Sequence, residues 1–176
     1  MPFPAALPAD LTADRWQLRA LSDEDWRLEW TMSRDPEVVR WTLYPPDLTE
    51  EAARERVRRA RQRADGQVAN RYAVLDQNAI AVGTAGIACN DTDPHEAEVF
   101  YALLPHGRHR GAATAAARTL SDWALSSGIE RVLLITIPGN NASEAVARRA
   151  GFTLNGEETR DHRGAPMLMR RWSRNS

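Results

Sequence analysis

The spacing of apolar residues along the chain divides it into short strands and helices. Residues 16–21 alternate between apolar and polar side chains, which predicts a first strand. Apolar residues at helical spacing predict one helix over residues 49–64 and another that starts at Ala113 and ends at Gly128. Residues 131–137 are almost wholly apolar, as expected for a strand that is buried on both faces.

The remaining predicted elements are shorter. In chain order they are helical segments that begin near Ser22 and Asp35, strands over residues 71–75 and 79–89 joined by a tight turn, a helix over residues 142–150, and a closing hairpin over residues 153–159 and 165–172. Residues 1–15 are rich in proline and show no periodicity, which predicts a flexible N-terminal tail. We expect residues 16–176 to form a single domain, because no linker interrupts them.

Composition and charge narrow the functional classes. The net charge of −1 gives no overall attraction to nucleic acid or to an anionic membrane, and no apolar run is long enough to span a bilayer. All 23 basic residues are arginine, which excludes a lysine nucleophile. The single cysteine, Cys89, excludes an internal disulfide, and the N-terminal residues lack the pattern of a signal peptide, so we expect a cytoplasmic protein. The four histidines and Cys89 have no metal-ligand spacing, so no metal is expected.

Six arginines lie between Arg54 and Arg63 in the predicted helix at residues 49–64, and this run has two interpretations. The arginines flank the apolar stripe on both sides, and glutamates one turn away offset their charge. We therefore interpret the run as a solvated helix face. Binding of RNA is the weaker alternative.

A short turn joins the apolar segment at residues 98–105 to the helix that starts at Ala113. It contains two glycines and two arginines, Gly107, Arg108, Arg110 and Gly111. A turn that opens a helix presents unpaired backbone N–H groups at the positive end of the helix dipole, so this turn is a candidate anion site, with phosphate as the usual guest. It lacks both the Gly-Lys-Ser/Thr of nucleoside-triphosphate loops and the Gly-x-Gly-x-x-Gly spacing of dinucleotide sites.

The turn resembles a family signature. Residues 108–113 read Arg-His-Arg-Gly-Ala-Ala and are similar to the Arg/Gln-x-x-Gly-x-Gly/Ala motif of the GNAT superfamily of acyl-CoA-dependent N-acyltransferases. Further motifs are typical of its RimJ/RimL-like branch, namely Asp-Pro-Glu-Val at 35–38, Ala-Glu-Val-Phe-Tyr at 97–101, Asp-Trp-Ala at 122–124, Asn-Ala-Ser at 141–143 and Ala-Gly-Phe at 150–152. The resemblance covers residues 16–172. It implies an α/β (α+β) GNAT fold, with a mixed, strongly twisted sheet of six to seven strands, about four helices, and central strands splayed around acyl-CoA.

The resemblance also implies an activity and a set of cofactor contacts. It implies an acetyl-CoA-dependent N-acetyltransferase that moves an acetyl group to a primary amine, on a protein N-terminus or a small molecule, by direct transfer in a ternary complex. The backbone of the strand would pair with the pantetheine arm, the turn would hold the pyrophosphate, and the following helices would supply further contacts. The residues so assigned are Leu103, Leu104, Arg108, His109, Arg110, Gly111, Ala112, Ala113, Thr114, Asn141, Ser143 and Arg149. For Asn141, a helix-capping role is an alternative, and for His109 and Arg149 a solvated position is.

Acyl transfer to an amine needs a base for the ammonium and a proton for the departing thiolate. Many family members use a tyrosine as that acid, but Ala147 stands in its place here. RimL-like members offer a serine, which corresponds to Ser143. Glu98 is the favoured base, with Asp161 as the other candidate. His95 and Glu96, in the preceding loop, are further candidates that would act through water. Cys89 is interpreted as a core residue.

The sequence leaves the acceptor open. The first two helices and the loop after Tyr44 are expected to form the acceptor side, where Trp26, Trp30, Trp41 and Tyr44 line the site or pack in the core. The length of the acyl group and a homodimer are also left open. Two readings from other classes remain, a sensor that binds acyl-CoA without turnover and a ribosome- or RNA-associated module on the same fold.

Overall fold

Eight strands and five α-helices build the protein, and the computed structural model describes all 176 residues. The strands are β1 (Asp10–Ala13), β2 (Trp16–Ala20), β3 (Ala69–Leu75), β4 (Ala81–Cys89), β5 (Glu96–Leu103), β6 (Arg131–Thr136), β7 (Thr153–His162) and β8 (Ala165–Asn175). The helices are α1 (Trp26–Met32), α2 (Pro36–Trp41), α3 (Glu50–Asp65), α4 (Ala112–Ser126) and α5 (Asn141–Arg149). None of these helices combines the length and the apolar character needed to cross a bilayer.

All eight strands belong to one sheet with the order β1-β2-β3-β4-β5-β6-β8-β7. Only β5 and β6 are parallel, and every other neighbouring pair is antiparallel. The predicted fold class is confirmed, with one strand and one helix more than the sequence suggested. The parallel pair is joined through α4, which packs on one face of the sheet, while α1 and α3 cover the other face.

The additional strand lies in the segment that was predicted to be a flexible tail. Residues of β1 pair with β2 from Asp10 to Ala13. Phe3 is buried and packs edge-on against Trp123 of α4, with 5.1 Å between the ring centroids, and its N–H donates to the carbonyl of Gln67 (2.7 Å). The prediction of a flexible tail is therefore wrong for this segment, because a single aromatic anchor and a four-residue strand leave no periodic pattern in the sequence.

Helix α3 begins where the sequence predicts. The side chain of Thr49 accepts the N–H of Ala52 (3.1 Å) and so caps the first turn. Its arginines pair along the helix itself: Arg54 with Glu50, and both Arg58 and Arg59 with Glu55. These contacts support the interpretation of the arginine run as a solvated face.

Candidate active site

The two central strands separate to form a wedge. β5 and β6 pair only from Glu96 to Glu98, opposite Arg131 to Leu133. β6 then continues along β8 as far as Thr136, while β5 continues along β4 as far as Leu103. The splay that the sequence predicts is therefore present, and it opens directly after Glu98.

Hydrogen bonding to β4 alternates along β5. The N–H of Leu104 donates to the carbonyl of Val82 (2.9 Å), and at the other end the carbonyl of Glu96 accepts the N–H of Asn90 (2.9 Å). In an antiparallel ladder, alternate residues bond to the same neighbour. Even-numbered residues of β5 thus face β4, and odd-numbered residues turn their backbone groups toward the wedge.

Tyr101 and Leu103 are therefore the residues beyond the paired segment whose backbone groups line the wedge. The carbonyl of Leu103 accepts a bond from Nε of Arg108 (3.0 Å). Its N–H points away from β4 into the wedge, so the N–H is the group that Leu103 offers to a ligand. Leu104 has neither backbone group free, since its N–H bonds to β4 and its carbonyl accepts from the next turn. This contradicts its predicted pairing with a pantetheine arm.

The turn before α4 presents a row of unpaired donors. The backbone N–H groups of residues 109–114 have no acceptor within the protein, and they lie at the N-terminus of a 15-residue helix. Gly111 adopts a left-handed conformation (φ 85°), and a Cβ added there would meet no atom within 4 Å. Such a concave row of N–H groups with no side chain in front of it fits a phosphate or pyrophosphate.

A serine and a tyrosine meet beside the wedge. Ser143 lies in the first turn of α5, and its Oγ is 2.8 Å from the hydroxyl of Tyr101 on β5. Burial raises the pKa of Tyr101 above its ordinary value, although the bond with Ser143 works in the opposite direction. Tyr101 therefore stays protonated at neutral pH.

Glu98 occupies the last paired position before the splay. Its carboxylate accepts a bond from Nη1 of Arg160 on β7 (2.7 Å) and is about one third exposed (31 %). Because side chains alternate along a strand, Glu98 and Tyr101 point to opposite faces of β5. The two groups thus stand on either side of the wedge opening.

The family is settled by comparison with known proteins. A family model described as an acetyltransferase (GNAT) domain matches residues 15–153, which is more than half of the chain. The chain belongs to the GNAT family of acetyltransferases. Enzymes of this family take their acetyl group from acetyl-CoA. A search of curated protein sequences finds no match.

Solved acetyltransferases share the fold over nearly their whole length. The microcin C7 self-immunity acetyltransferase, solved with acetyl-CoA and AMP, has a TM-score of 0.84 at 16% identity and covers 97% of this chain and 98% of its own. The ribosomal-protein-S5-alanine acetyltransferase of Vibrio fischeri has a TM-score of 0.78 at 19% identity, covering 96% and 97%. The Salmonella typhimurium enzyme that modifies the N-terminal serine of ribosomal protein L7/L12 has 0.78 at 20%, covering 93% and 96%.

The arginines of this GNAT turn bind the protein rather than face the helix N-terminus. Arg108 forms an ion pair with Asp35, the N-cap of α2, in addition to its bond to Leu103. Arg110 donates to the carbonyl of His106 (3.1 Å) and stacks over Trp16 (5.3 Å). The turn therefore offers its ligand backbone N–H groups first, and its guanidinium groups hold the turn in place.

The other predicted cofactor contacts lie in two places, around the start of α4 and on α5. Ala112 and Ala113 are buried at the start of α4, with Thr114 half-buried beside them and His109 exposed at φ 59°, as a spacer would be. On α5, Asn140 rather than Asn141 is the cap, because its side chain accepts the N–H of Ser143 (3.1 Å).

Arg149 lies at the end of α5 with its side chain exposed, and its carbonyl accepts a bond from Arg118 of α4 (2.9 Å). This bond joins α4 and α5 beside Arg149, the residue that the resemblance places near the nucleotide end of coenzyme A. The structure leaves the guanidinium of Arg149 without a protein partner, as the solvated alternative also requires.

The alternative bases have other roles. Asp161 accepts the N–H of Gly164 (3.2 Å) and so stabilises the tip of the β7–β8 hairpin. His95 pairs with Glu130 at the surface (3.0 Å). Glu96 is buried and holds Arg131 and Arg171 at 2.7 and 3.0 Å. Glu98 alone of these candidates stands at the wedge opening.

A buried ionic cluster, which the sequence did not indicate, lies on the face of the sheet that α1 and α3 cover, where the acceptor side is expected from the sequence. Glu29 of α1 is fully buried and accepts bonds from Arg56 (2.9 Å), Arg71 (3.0 Å) and the hydroxyl of Tyr44 (3.1 Å). Burial alone would raise the pKa of Glu29, but the two arginines together hold it below its ordinary value. Burial raises the pKa of Tyr44 to about 12, so Tyr44 remains a neutral donor and accepts in turn from Thr84 (3.0 Å).

The aromatic residues expected on the acceptor side are not equivalent. Tyr44 is buried against the sheet, whereas Trp30 is exposed (38 %) and is covered by Arg34 at 3.6 Å. The indole of Trp41 donates to Glu37 one turn before it (2.8 Å). Trp26 is half-buried beneath the guanidinium of Arg54. Only Tyr44 therefore reaches the face of the sheet that carries Glu98.

The tip of the β7–β8 hairpin closes the acceptor side from above. Arg163 donates to the backbone carbonyls of Val39 (2.8 Å), Thr42 (3.1 Å) and Tyr44 (2.7 Å). These three bonds fix the hairpin to α2 and to the loop that follows it. The expected acceptor side is thus bounded by the sheet and by the β7–β8 hairpin.

Proposed function

We propose that this acetyltransferase moves an acetyl group from acetyl-CoA to a primary amine by direct transfer in a ternary complex. The observation that carries the proposal is the wedge between β5 and β6, with unpaired backbone donors along one side and the Tyr101–Ser143 pair beside it. The acceptor is a protein N-terminal α-amine or the amine of a small molecule. The solved relatives include enzymes named for ribosomal proteins and one named for microcin immunity, and both kinds of acceptor are in keeping with that range.

The backbone holds the acetyl donor. The N–H groups of residues 109–114 bind the pyrophosphate, and the free groups of Tyr101 and Leu103 pair with the pantetheine arm. Thr114 adds a hydroxyl at the phosphate end. Acetyl-CoA supplies the activated acetyl group, and the protein contributes its position.

Ser143 and Tyr101 supply the proton for the departing thiolate. Ser143 lies in the first turn of α5, and its Oγ is 2.8 Å from the hydroxyl of Tyr101. A proton that Ser143 gives to the thiolate is therefore replaced by the proton of Tyr101. The raised pKa of Tyr101 keeps that proton in place at neutral pH. This pair takes the role of the tyrosine that position 147 lacks.

Glu98 receives the proton from the acceptor ammonium. It stands at the point where the wedge opens toward the acceptor side, and Arg160 fixes its carboxylate from the far side at 2.7 Å. The second oxygen of the carboxylate has no protein donor and is available to an amine or to a bridging water.

Thiol release from acetyl-CoA against a panel of amines and N-terminal peptides tests the proposal. We expect turnover with at least one acceptor, and a loss of about 100-fold or more in Glu98→Gln and Ser143→Ala. Asp161→Asn is the control: it removes the other candidate carboxylate, which lies on β7 at the hairpin tip, and this variant should keep its activity. Tight binding of acetyl-CoA without thiol release for any acceptor would favour the sensor instead, and failure to bind acetyl-CoA would refute the donor site.

A further inference from the structure

We propose that the Glu29 cluster, formed by Glu29, Arg56, Arg71 and Tyr44, binds a carboxylate that the acceptor carries close to its reactive amine. The inference rests on the proposed function, because it names the chemical class of acceptor for the same site. The cluster has two guanidinium groups and only one carboxylate. With Tyr44 neutral, it keeps one unit of positive charge within the acceptor side.

Burial makes that excess charge costly unless an anion shares it. The side chains of Arg56 and Arg71 are only 25 % and 23 % exposed, so bulk water solvates little of either group. Two other buried glutamates, Glu96 and Glu144, also hold two arginines each. One arginine of each of those pairs is far more exposed, at 44 % for Arg131 and 60 % for Arg148.

Both arginines keep donors available. Arg56 bonds to Glu29 only through Nε, and Arg71 only through Nη1. Their other N–H groups have no acceptor in the protein, yet none of these nitrogens is sealed from solvent. A guanidinium with a free edge is suited to a carboxylate, which it can bind through two parallel hydrogen bonds.

The guanidinium group of Arg71 lies on the same face of the sheet as the proposed base, Glu98. The guanidinium of Arg71 lies 5.5 Å from the ring centroid of Phe100, which is on the part of β5 beyond the splay. Phe100 is two residues from Glu98 and on the same face, so roughly 7 Å of strand separates the two positions. Arg71 and Glu98 therefore lie close enough for one acceptor molecule to contact both, with its carboxylate at Arg71 and its amine at Glu98.

Two kinds of acceptor have this chemistry. A free amino acid carries its α-carboxylate next to the amine, and a peptide N-terminus can carry an acidic side chain at its second residue. Two matched pairs of ligands separate the sources: serine against serinamide, and a C-terminally amidated pentapeptide with glutamate at its second position against the same peptide with glutamine.

Calorimetric titration of each pair into the protein with CoA present tests the inference without turnover. We expect the carboxylate-bearing member of one pair to bind about tenfold or more tightly than its partner, and the preference to weaken with added salt. Arg71→Gln should abolish the preference. Arg61→Gln is the control. Arg61 lies toward the C-terminal end of α3 and pairs with the exposed Asp23, so its loss should leave the preference intact.

If Arg71→Gln fails to fold, Arg56→Gln provides the test, since Glu29 then keeps Arg71 and Tyr44. Equal binding within both pairs, no binding by any carboxylate-bearing member, or a preference that survives in these variants would overturn the inference. A preference in binding without thiol release would support the subsite and refute the proposed transfer, so the two outcomes are distinguishable.

Discussion

The proposed donor and acceptor sides of the active site are built in different ways. The donor side consists mainly of backbone groups from one nearly continuous segment, β5, the turn and α4, with α5 beside it. The acceptor side consists of side chains from α1, α3, β3, β5 and β7, which lie far apart in the chain. A backbone site tolerates most changes of side chain, whereas each acceptor contact depends on particular residues. This difference allows one fold to keep a single acetyl donor while its acceptors vary.

Removal of the buried carboxylate should have the largest effect on the protein. Glu29→Ala leaves Arg56 and Arg71 buried without a counter-charge, so we expect the free energy of unfolding to fall by about 3–5 kcal/mol. Urea denaturation measures this change. Glu55→Ala is the control, because Glu55 also holds two arginines but on the exposed face of α3, and its loss should change stability little. An equal fall in the free energy of unfolding in the two variants would contradict a special role for the Glu29 cluster.

Acid should weaken the acceptor side. Glu29 has a folded pKa below its ordinary value of 4.5, so its stabilising contribution is complete above about pH 4.5 and is lost as the pH falls through the lower folded pKa. We expect the free energy of unfolding to decline below about pH 4.5 more steeply in the wild type than in Glu29→Gln. The backbone donors of the other side do not titrate. Urea denaturation over a pH series tests this, and identical slopes would count against it.

A matched pair of glycines separates the two sides. Gly111 in the donor turn and Gly164 in the acceptor hairpin have φ values of 85° and 83°, and a Cβ at either would meet nothing within 4 Å. Alanine therefore costs the same backbone strain at both, about 1 kcal/mol. We expect Gly111→Ala to weaken acetyl-CoA binding about five- to tenfold, with Gly164→Ala leaving it unchanged. Calorimetry reports both, and an equal change would show that the turn is not the donor site.

Release of the hairpin clamp should have the smallest effect. Arg163→Gln removes the bonds to one carbonyl of α2 and two carbonyls of the loop after it, so we expect the KM for the acceptor to rise about threefold while that for acetyl-CoA stays the same. Arg118→Gln is the counterpart on the donor side, where it removes one bond to a carbonyl of α5. Steady-state kinetics with each substrate varied in turn distinguishes them. A rise in the KM for acetyl-CoA in Arg163→Gln would contradict the division.

The donor side was predictable from sequence because its parts are adjacent in the chain. The turn and the small residues after it follow from a local pattern, and Ser143 follows from the family resemblance. Two details required the hydrogen bonds themselves. Leu104 was assigned to the wedge although the register of β5 with β4 turns it away. The capping role considered as an alternative for Asn141 belongs to Asn140, which follows the turn at Gly139 (φ 90°).

The acceptor side was not predictable in the same way. Glu29 looks like any polar residue of an amphipathic helix, and its two arginines lie 27 and 42 residues away. The Tyr101–Ser143 pair on the donor side was missed for the same reason, since Tyr101 was part of a recognised motif but Ser143 is 42 residues downstream. Contacts between such distant residues are set by packing, and the sequence has no local signal for them.

Thiol release by Tyr101→Phe tests the central claim most directly, because this substitution removes one hydroxyl from the pair at the wedge. We expect kcat to fall about 100-fold while the dissociation constant for acetyl-CoA stays within about twofold. Tyr72→Phe is the control, since it removes another buried tyrosine hydroxyl, one that donates to the carbonyl of Pro8 (2.9 Å) away from the wedge, and its kcat should be that of the wild type. Full activity in Tyr101→Phe, or the same loss in both variants, would contradict acetyl transfer at the Tyr101–Ser143 pair.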